Sequence, residues 1–80
     1  MAVEMSAEEV RGVIVEFLGG EFNPWDWDDF ISTPIKSNYL NSIRLLCLFI
    51  PDKYPPPSNS TMYCSDLGLD RLRMIAAQLL

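Results

Sequence analysis

The sequence predicts one all-α domain, residues 1–80, built as a small bundle of three main helices and one short helix, with a long Pro-rich loop before the last helix. Three observations predict this fold class. Apolar residues recur at helical spacing in three stretches. Glycines, prolines and capping residues separate those stretches. No long alternating run and no Asn-Gly or Asp-Gly turn points to a β-hairpin.

The first helix is predicted over residues 7–18, after a frayed segment 1–5. Ser6 and Glu9 have the spacing of a capping box, in which each side chain accepts a backbone N–H of the other residue. The pair Gly19-Gly20 ends the helix, with one glycine in the left-handed conformation. The core-facing stripe consists of Val10, Val13, Ile14, Phe17 and Leu18.

A short helix over residues 24–32 carries both tryptophans of the chain. Asn23 is suited to cap it, and Pro24 fits its first position, where a missing N–H is no loss. The carboxylates of its first two turns match the positive end of the helix dipole. Trp27, Phe30 and Ile31 fall on one face and are predicted to enter the core.

A third helix is predicted over residues 38–49, capped by Ser37 or Asn38 and stopped by Pro51. It is apolar nearly all round, which is typical of a helix buried on most sides, so we expect it at the centre of the bundle. A short strand near 45–50 or 60–64 is the alternative, because periodicity alone does not exclude it. Arg44 is a candidate ion-pair partner for Asp28 or Asp29.

The segment from Asp52 to Cys64 is predicted to be a long loop containing three consecutive prolines. Long loops in small domains are often functional, although a plain connector is the alternative. Tyr54, Met62 and Tyr63 are expected to hold this loop against the body of the domain. Ser65 then caps the last helix, whose apolar stripe consists of Leu69, Leu72, Ile75, Ala76 and Leu79.

Charge is distributed unevenly along the chain, whose net charge is −5. Residues 1–35 hold eight acids and one base, whereas residues 36–80 hold three acids and five bases. An acidic chain with so few clustered bases repels nucleic acid, so no nucleic-acid partner is expected. The same field attracts a protein with a basic surface and speeds its capture.

The residue inventory argues against catalysis, since the chain has no histidine and no phosphate-binding glycine loop. We therefore expect no enzyme activity, no cofactor and no metal site. Cys47 and Cys64 do not form a CxxC motif. Cys47 is predicted to be an unreactive core residue. Cys64 precedes a helix N-terminus, which would stabilise a thiolate. Whether the two cysteines form a disulfide is left open by the sequence. The N-terminus lacks a signal-peptide pattern and no apolar run spans a bilayer, which predicts a cytoplasmic protein without a membrane role.

Protein binding is the function that these exclusions favour. Aromatic side chains beside charged ones are typical of interface centres, and the short second helix combines both. The alternative is a structural helix with a solvated acidic face. The candidate partner-binding residues are Trp25, Asp26, Asp28, Asp29, Glu21 and Tyr54.

In size, acidity and helix count, the chain resembles the small bacterial immunity proteins that neutralise nuclease toxins by masking a basic active site. That resemblance implies a four-helix bundle and an acidic, aromatic binding face. The nuclease-colicin immunity proteins carry an aspartate followed by paired tyrosines at their third helix. The segment from Met62 to Asp66 does not match that pattern, so no family residue is carried over to this chain.

The resemblance suggests an immunity-type or antitoxin-type inhibitor. The competing hypothesis is a homodimeric structural or accessory subunit, whose exposed apolar surface forms the contact between copies. The two hypotheses differ in their salt dependence. An acidic capture surface loses affinity in salt, whereas an apolar dimer interface is insensitive to it.

Overall fold

A computed structural model describes residues 2–20, 24–58 and 63–79, with the backbone alone described at 24–26. It contains four helices: α1 (Ala7–Leu18), α2 (Pro24–Ser32), α3 (Asn38–Lys53) and α4 (Asp66–Gln78). Within those ranges no β-strand forms, so the strand predicted as an alternative at 45–50 is wrong. The predicted all-α class, with three longer helices and one short one, is confirmed.

The main helix contacts form a ring, in which α1 packs on α2, α2 on α3, α3 on α4, and α4 back on α1. Sixteen buried apolar residues contributed by all four helices and their connections form one core inside this ring. The prediction that α3 is central is therefore wrong. α3 has two principal neighbours, as the other helices do, and its remaining side faces solvent.

The ends of α1 form as the local sequence predicts. The Ser6 hydroxyl accepts the Glu9 amide at 3.1 Å, and the Glu9 carboxylate accepts the Ser6 amide at 3.0 Å, which completes the capping box. At the other end, Gly20 has φ 76°, a left-handed conformation that glycine adopts without steric cost.

The residues before α1 are ordered by pairing rather than frayed. Val3 forms a parallel bridge with Ile35. Its amide donates to the Pro34 carbonyl at 2.9 Å, and the Lys36 amide donates to the Val3 carbonyl at 2.9 Å. The N-terminal segment is therefore tied to the connection between α2 and α3.

Arg44 anchors α2 to α3, although its predicted role was an ion pair with the acids of α2. Its side chain is 7% exposed, and it donates to the Ile31 carbonyl at 2.7 Å and to the Asn41 side-chain oxygen at 2.9 Å. The Ile31 carbonyl lies in the last turn of α2, where helices have carbonyls without internal partners. The predicted pair with Asp28 or Asp29 is wrong because the guanidinium satisfies this carbonyl instead.

Pro51 does not stop α3, which continues to Lys53. A proline lacks the N–H that would bond to the carbonyl four residues earlier, here that of Cys47. The Tyr63 hydroxyl donates to this carbonyl at 2.9 Å. A side chain from the following loop thus replaces the missing backbone bond, and the helix keeps its last turn.

The connection from α3 to α4 is pinned at both ends. The Ser65 amide donates to the Tyr54 carbonyl at 2.9 Å. Tyr54 and Tyr63 pack against the core, as predicted, whereas Met62 lies outside the described residues. A Cβ on Gly68 would lie 2.8 Å from the Cys64 sulfur and 3.0 Å from the Tyr54 Cβ. Gly68 is therefore required by close approach of this connection to α4.

Candidate functional site

Among the predicted partner-binding residues that the structure describes, Tyr54 lies apart from Asp28 and Asp29. Asp28 and Asp29 are exposed on α2, as predicted. Tyr54 is half-buried at the end of α3, where it lines a different depression of the surface from Asp29. Glu21 and the side chains of Trp25 and Asp26 lie outside the described residues, so their roles remain predictions.

The first depression, which we call the acidic cleft, lies between the N-terminal segment, α1 and α2 and has a volume of about 300 Å³. Two carboxylates, those of Glu16 and Asp29, border it. Apolar side chains make up most of the remaining lining, which consists of Val3, Met5, Val13, Trp27, Phe30 and Thr33. Acid at the border and apolar atoms beneath give the cleft two chemically distinct parts.

Aromatic packing fixes the position of the acidic cleft. The rings of Phe17 and Trp27 stack with centroids 4.0 Å apart, which joins α1 to α2. Tyr63 meets both rings edge-on, at 5.4 Å from Phe17 and 5.7 Å from Trp27. The two edge-on contacts of Tyr63 have a geometry that the ring quadrupoles favour. Asp29, two residues beyond Trp27, is held on this rigid support.

No basic side chain neutralises the cleft carboxylates within the described part of the chain. The ion pairs found there join Glu4 to Lys36 at 3.7 Å and Asp70 to Arg73, both exposed. Glu16, Asp28 and Asp29 take part in neither pair. Their charges are therefore open to a cation from outside the molecule.

A lysine or arginine side chain matches the two parts of the cleft. Such a side chain lays its aliphatic stem along apolar surface and keeps its charged head beside polar atoms. Here Val13 and Phe30 would contact the stem, and the carboxylates of Glu16 and Asp29 would contact the head. The cleft is chemically suited to contact with a cationic side chain.

The second depression, which we call the apolar groove, lies between α3 and α4 and has a volume of about 490 Å³. Leu45, Leu46, Phe49, Ile50, Tyr54 and Ile75 provide its apolar lining. The charged residues Asp52, Lys53 and Arg71 line it as well, together with Ser42. In the described part of the chain, neither Lys53 nor Arg71 has an ion-pair partner.

The predicted burial of α3 on most sides is wrong at the groove, where large apolar side chains are exposed. Phe49 is 53% exposed and Leu46 is 46% exposed. The prediction failed because it took the apolar positions around α3 to be buried. The informative signal is a second stripe with the spacing of a helix-pairing surface, formed by Tyr39, Ser42, Leu46, Phe49 and Lys53.

Both cysteines are free thiols, fully buried in the core. Burial raises the pKa of Cys47 to about 12. Burial, and then the nearby Asp66 carboxylate, also raises the pKa of Cys64. The predicted thiolate stabilisation at Cys64 by the α4 N-terminus is therefore wrong, because desolvation of the sulfur opposes ionisation.

The described residues contain no group of three Asp, Glu or Cys side chains placed to hold a metal ion. In the same residues, no helix is long and apolar enough to cross a bilayer.

The chain was compared with models of known protein families, with curated proteins and with solved structures. None of these comparisons found a match. A functional assignment therefore depends on the physical character of the acidic cleft and the apolar groove.

Proposed function

We propose that this chain is a small acidic protein-binding module that captures a partner with a basic surface at the acidic cleft. The observation that supports the proposal is the pair of unneutralised carboxylates, Glu16 and Asp29, bordering an apolar depression built on Trp27 and Phe30. A basic side chain of the partner enters the cleft, and the exposed Asp28 extends the negative surface beside it.

Charge outside the cleft adds to this capture. Residues 1–35 carry eight acids against one base, so the negative potential is concentrated around α1 and α2. Such a field raises association rates with a basic protein and weakens as salt is added. Individual exposed ion pairs contribute only about 0.2–1 kcal/mol, so affinity needs several of them together with apolar contact.

Masking a basic active site is the specific form of this function that the general likeness to immunity proteins suggests. In that role the module binds a nuclease-like toxin one to one and covers the cations that would hold a phosphate backbone. The acidic cleft supplies the complementary charge. Inhibition of such a partner is the functional outcome that we expect once the partner is identified.

The second candidate function is a homodimeric structural or accessory subunit. It is favoured by the large exposed apolar side chains of α3, among them Tyr39 at 57% exposure and Phe49 at 53%. Contiguous apolar surface of this kind is uncommon on small soluble monomers and is typical of contact surfaces.

A pull-down from native lysate at low salt, eluted by a salt step, tests the first candidate. The baits are the wild-type chain, the double variant Glu16→Gln/Asp29→Asn, and the control Glu8→Gln/Asp66→Asn. The control removes the same two charges from exposed positions outside the cleft. We expect the wild type and the control to retain one stoichiometric basic protein, and the cleft variant to retain less of it and to release it at lower salt.

The affinity of the isolated partner then gives a quantitative test. Loss of two exposed pairs of about 0.5 kcal/mol each weakens binding about fivefold. Equal loss in the control variant would reduce the cleft to one part of a diffuse negative field. If the wild-type bait retains no basic protein at low salt, the proposal is wrong.

A further inference from the structure

The exposed side of α3 carries a stripe that the bundle leaves uncovered. Its members recur at intervals of three and four residues, the spacing with which one helix packs along another. They are Tyr39, Ser42, Leu46, Phe49 and Lys53. The inward side of the same helix is complete, since Leu40, Ile43, Cys47 and Ile50 are buried there. α3 therefore has two packing faces, and the bundle uses one of them.

The neighbouring helix α4 repeats this arrangement. Its outward positions Leu67, Arg71, Met74 and Gln78 follow the same spacing. Leu67 is 69% exposed and Met74 is 55% exposed. Arg71 lines the apolar groove together with residues of α3. α3 and α4 therefore both carry exposed large apolar side chains, and Arg71 connects the outward side of α4 to the groove.

The groove has room for an aromatic side chain of a neighbouring molecule. Its volume of about 490 Å³ falls in the range of pockets that hold small organic ligands. Phe49 is the largest apolar side chain at its border and is half exposed. The groove is lined by apolar side chains that a ring of this size could contact, among them Leu45, Leu46 and Tyr54.

Charge favours a second copy of this chain as the occupant. Copies with a net charge of −5 repel one another, and the repulsion is strongest between their acidic halves. The groove lies in the half with five bases and three acids, so this side can approach its own copy. The groove also carries both signs of charge, with Asp52 near Lys53 and Arg71, so opposite charges of two copies can pair across a twofold axis.

We propose that the apolar groove is the interface of a symmetric homodimer. Phe49 and Leu46 of each copy enter the groove of the other, and Asp52 of each copy lies against Lys53 or Arg71 of the other. A stable interface covers about 800 Å² on each partner, so the contact extends along both stripes to Tyr39 and Met74. The acidic cleft lies between the other two helices, and each dimer therefore presents two clefts to basic partners.

Sedimentation equilibrium of the purified chain, from roughly 1 μM to 1 mM, tests this proposal. We expect a mass of twice 9.1 kDa at the higher concentrations, with little change when salt is added. Phe49→Ser weakens dimerisation at least tenfold, and Lys53→Glu weakens it by placing like charge near Asp52. Val15→Ser is the matched control, because Val15 is 43% exposed on α1, outside the groove.

Circular dichroism of each variant shows whether the fold is retained, which we expect because Phe49 and Lys53 are not core residues. A wild-type chain that stays monomeric throughout overturns the proposal and leaves the groove to a helix of another protein. A dimer that Phe49→Ser does not weaken overturns it as well. The cleft variant Glu16→Gln/Asp29→Asn must remain dimeric, so failure of partner capture and failure of dimerisation are separate results.

Discussion

The α1–α2 interface and the α3–α4 interface are built from different kinds of side chain. Between α1 and α2, the stacked rings of Phe17 and Trp27 fill the interior, and carboxylates occupy the border. At the α3–α4 interface, Gly68 allows the connection to approach α4 closely, and several large apolar residues, among them Phe49 and Met74, are exposed. The first interface places its aromatic residues inward and its charge outward, whereas the second leaves apolar side chains in contact with solvent.

This difference separates stability from recognition. Large side chains at the α1–α2 interface contribute to folding, so their loss is expected to unfold the domain. The exposed large side chains at the α3–α4 groove, such as Phe49 and Leu46, are available for a contact, so their loss is expected to leave the monomer folded. Tyr63 connects the two interfaces, since its ring packs on Phe17 and Trp27 and its hydroxyl bonds to α3.

The largest expected effect is that of Trp27→Ala. The substitution removes a ring that is 3% exposed and contacts three other aromatic side chains. Deletion of a buried aromatic ring costs about 3–5 kcal/mol, a large share of the stability of so small a domain. Phe49→Ala is the comparison, with an expected cost within about 0.5 kcal/mol. Urea unfolding followed by circular dichroism measures both, and equal costs would contradict the contrast between the interfaces.

A second contrast uses two glycines on different helices. Gly68→Ala forces a Cβ to within 2.9 Å of the Cys64 Cβ, and overpacking of this kind costs about 1–3 kcal/mol. Gly12→Ala on α1 meets nothing within 4 Å and is expected to stabilise the domain by up to about 1 kcal/mol. Melting temperatures that move in opposite directions for these two variants would support this account. A stabilising Gly68→Ala would show that the connection moves away without cost.

Tyr63→Phe tests the link between the interfaces. It keeps the ring but leaves the Cys47 carbonyl without the bond that Tyr63 donates, at an expected cost of about 1–2 kcal/mol. Pro51→Ala restores an N–H four residues after that carbonyl. A double-mutant cycle of the two substitutions is therefore expected to give a smaller cost for Tyr63→Phe when Ala occupies position 51. Additive costs would mean that the hydroxyl does not replace the bond missing at Pro51.

The last prediction is a loss of stability at high pH. In the folded chain burial raises the pKa of Cys47 from 9.0 to about 12, whereas an unfolded chain exposes the thiol. The stabilisation of the protonated thiol is complete below pH 9 and is lost as pH rises toward 12, by about 1.4 kcal/mol per pH unit. Burial raises the pKa of Tyr63 from 10.0 to about 12, which adds to the same trend. Unfolding free energies measured between pH 8 and 11 are expected to fall less steeply in Cys47→Ala, and an unchanged slope would count against this assignment.

Local signals predicted both ends of α1 and the start of α3, because capping depends on residues close in sequence, whereas Ser65 precedes α4 without forming the predicted side-chain cap bond. The Ser6 and Glu9 pair, the left-handed Gly20 and the cap at Ser37 all form as their spacing indicates. The helical periodicity of Trp27, Phe30 and Ile31 likewise identified the buried side of α2.

Features that depend on distant contacts were not predicted. By local rules Pro51 ends a helix. In the structure α3 continues beyond it, and the Tyr63 hydroxyl donates to the Cys47 carbonyl that lacks a backbone donor. Arg44 has a charged side chain, yet it is buried, where it donates a hydrogen bond to the Ile31 carbonyl. Both residues depend on partners more than ten positions away. Likewise, the apolar circumference of α3 does not reveal which of its two faces the bundle covers.

The packing of α1 on α4 sets an order of events during synthesis. α1 leaves the ribosome before α4, although it packs against α4 in the folded domain. The apolar surface of α1 is therefore uncovered while the chain between α1 and α4 is translated, at about 5–20 residues per second. A nascent chain of this protein is exposed to chaperones and proteases for several seconds before its fold can close.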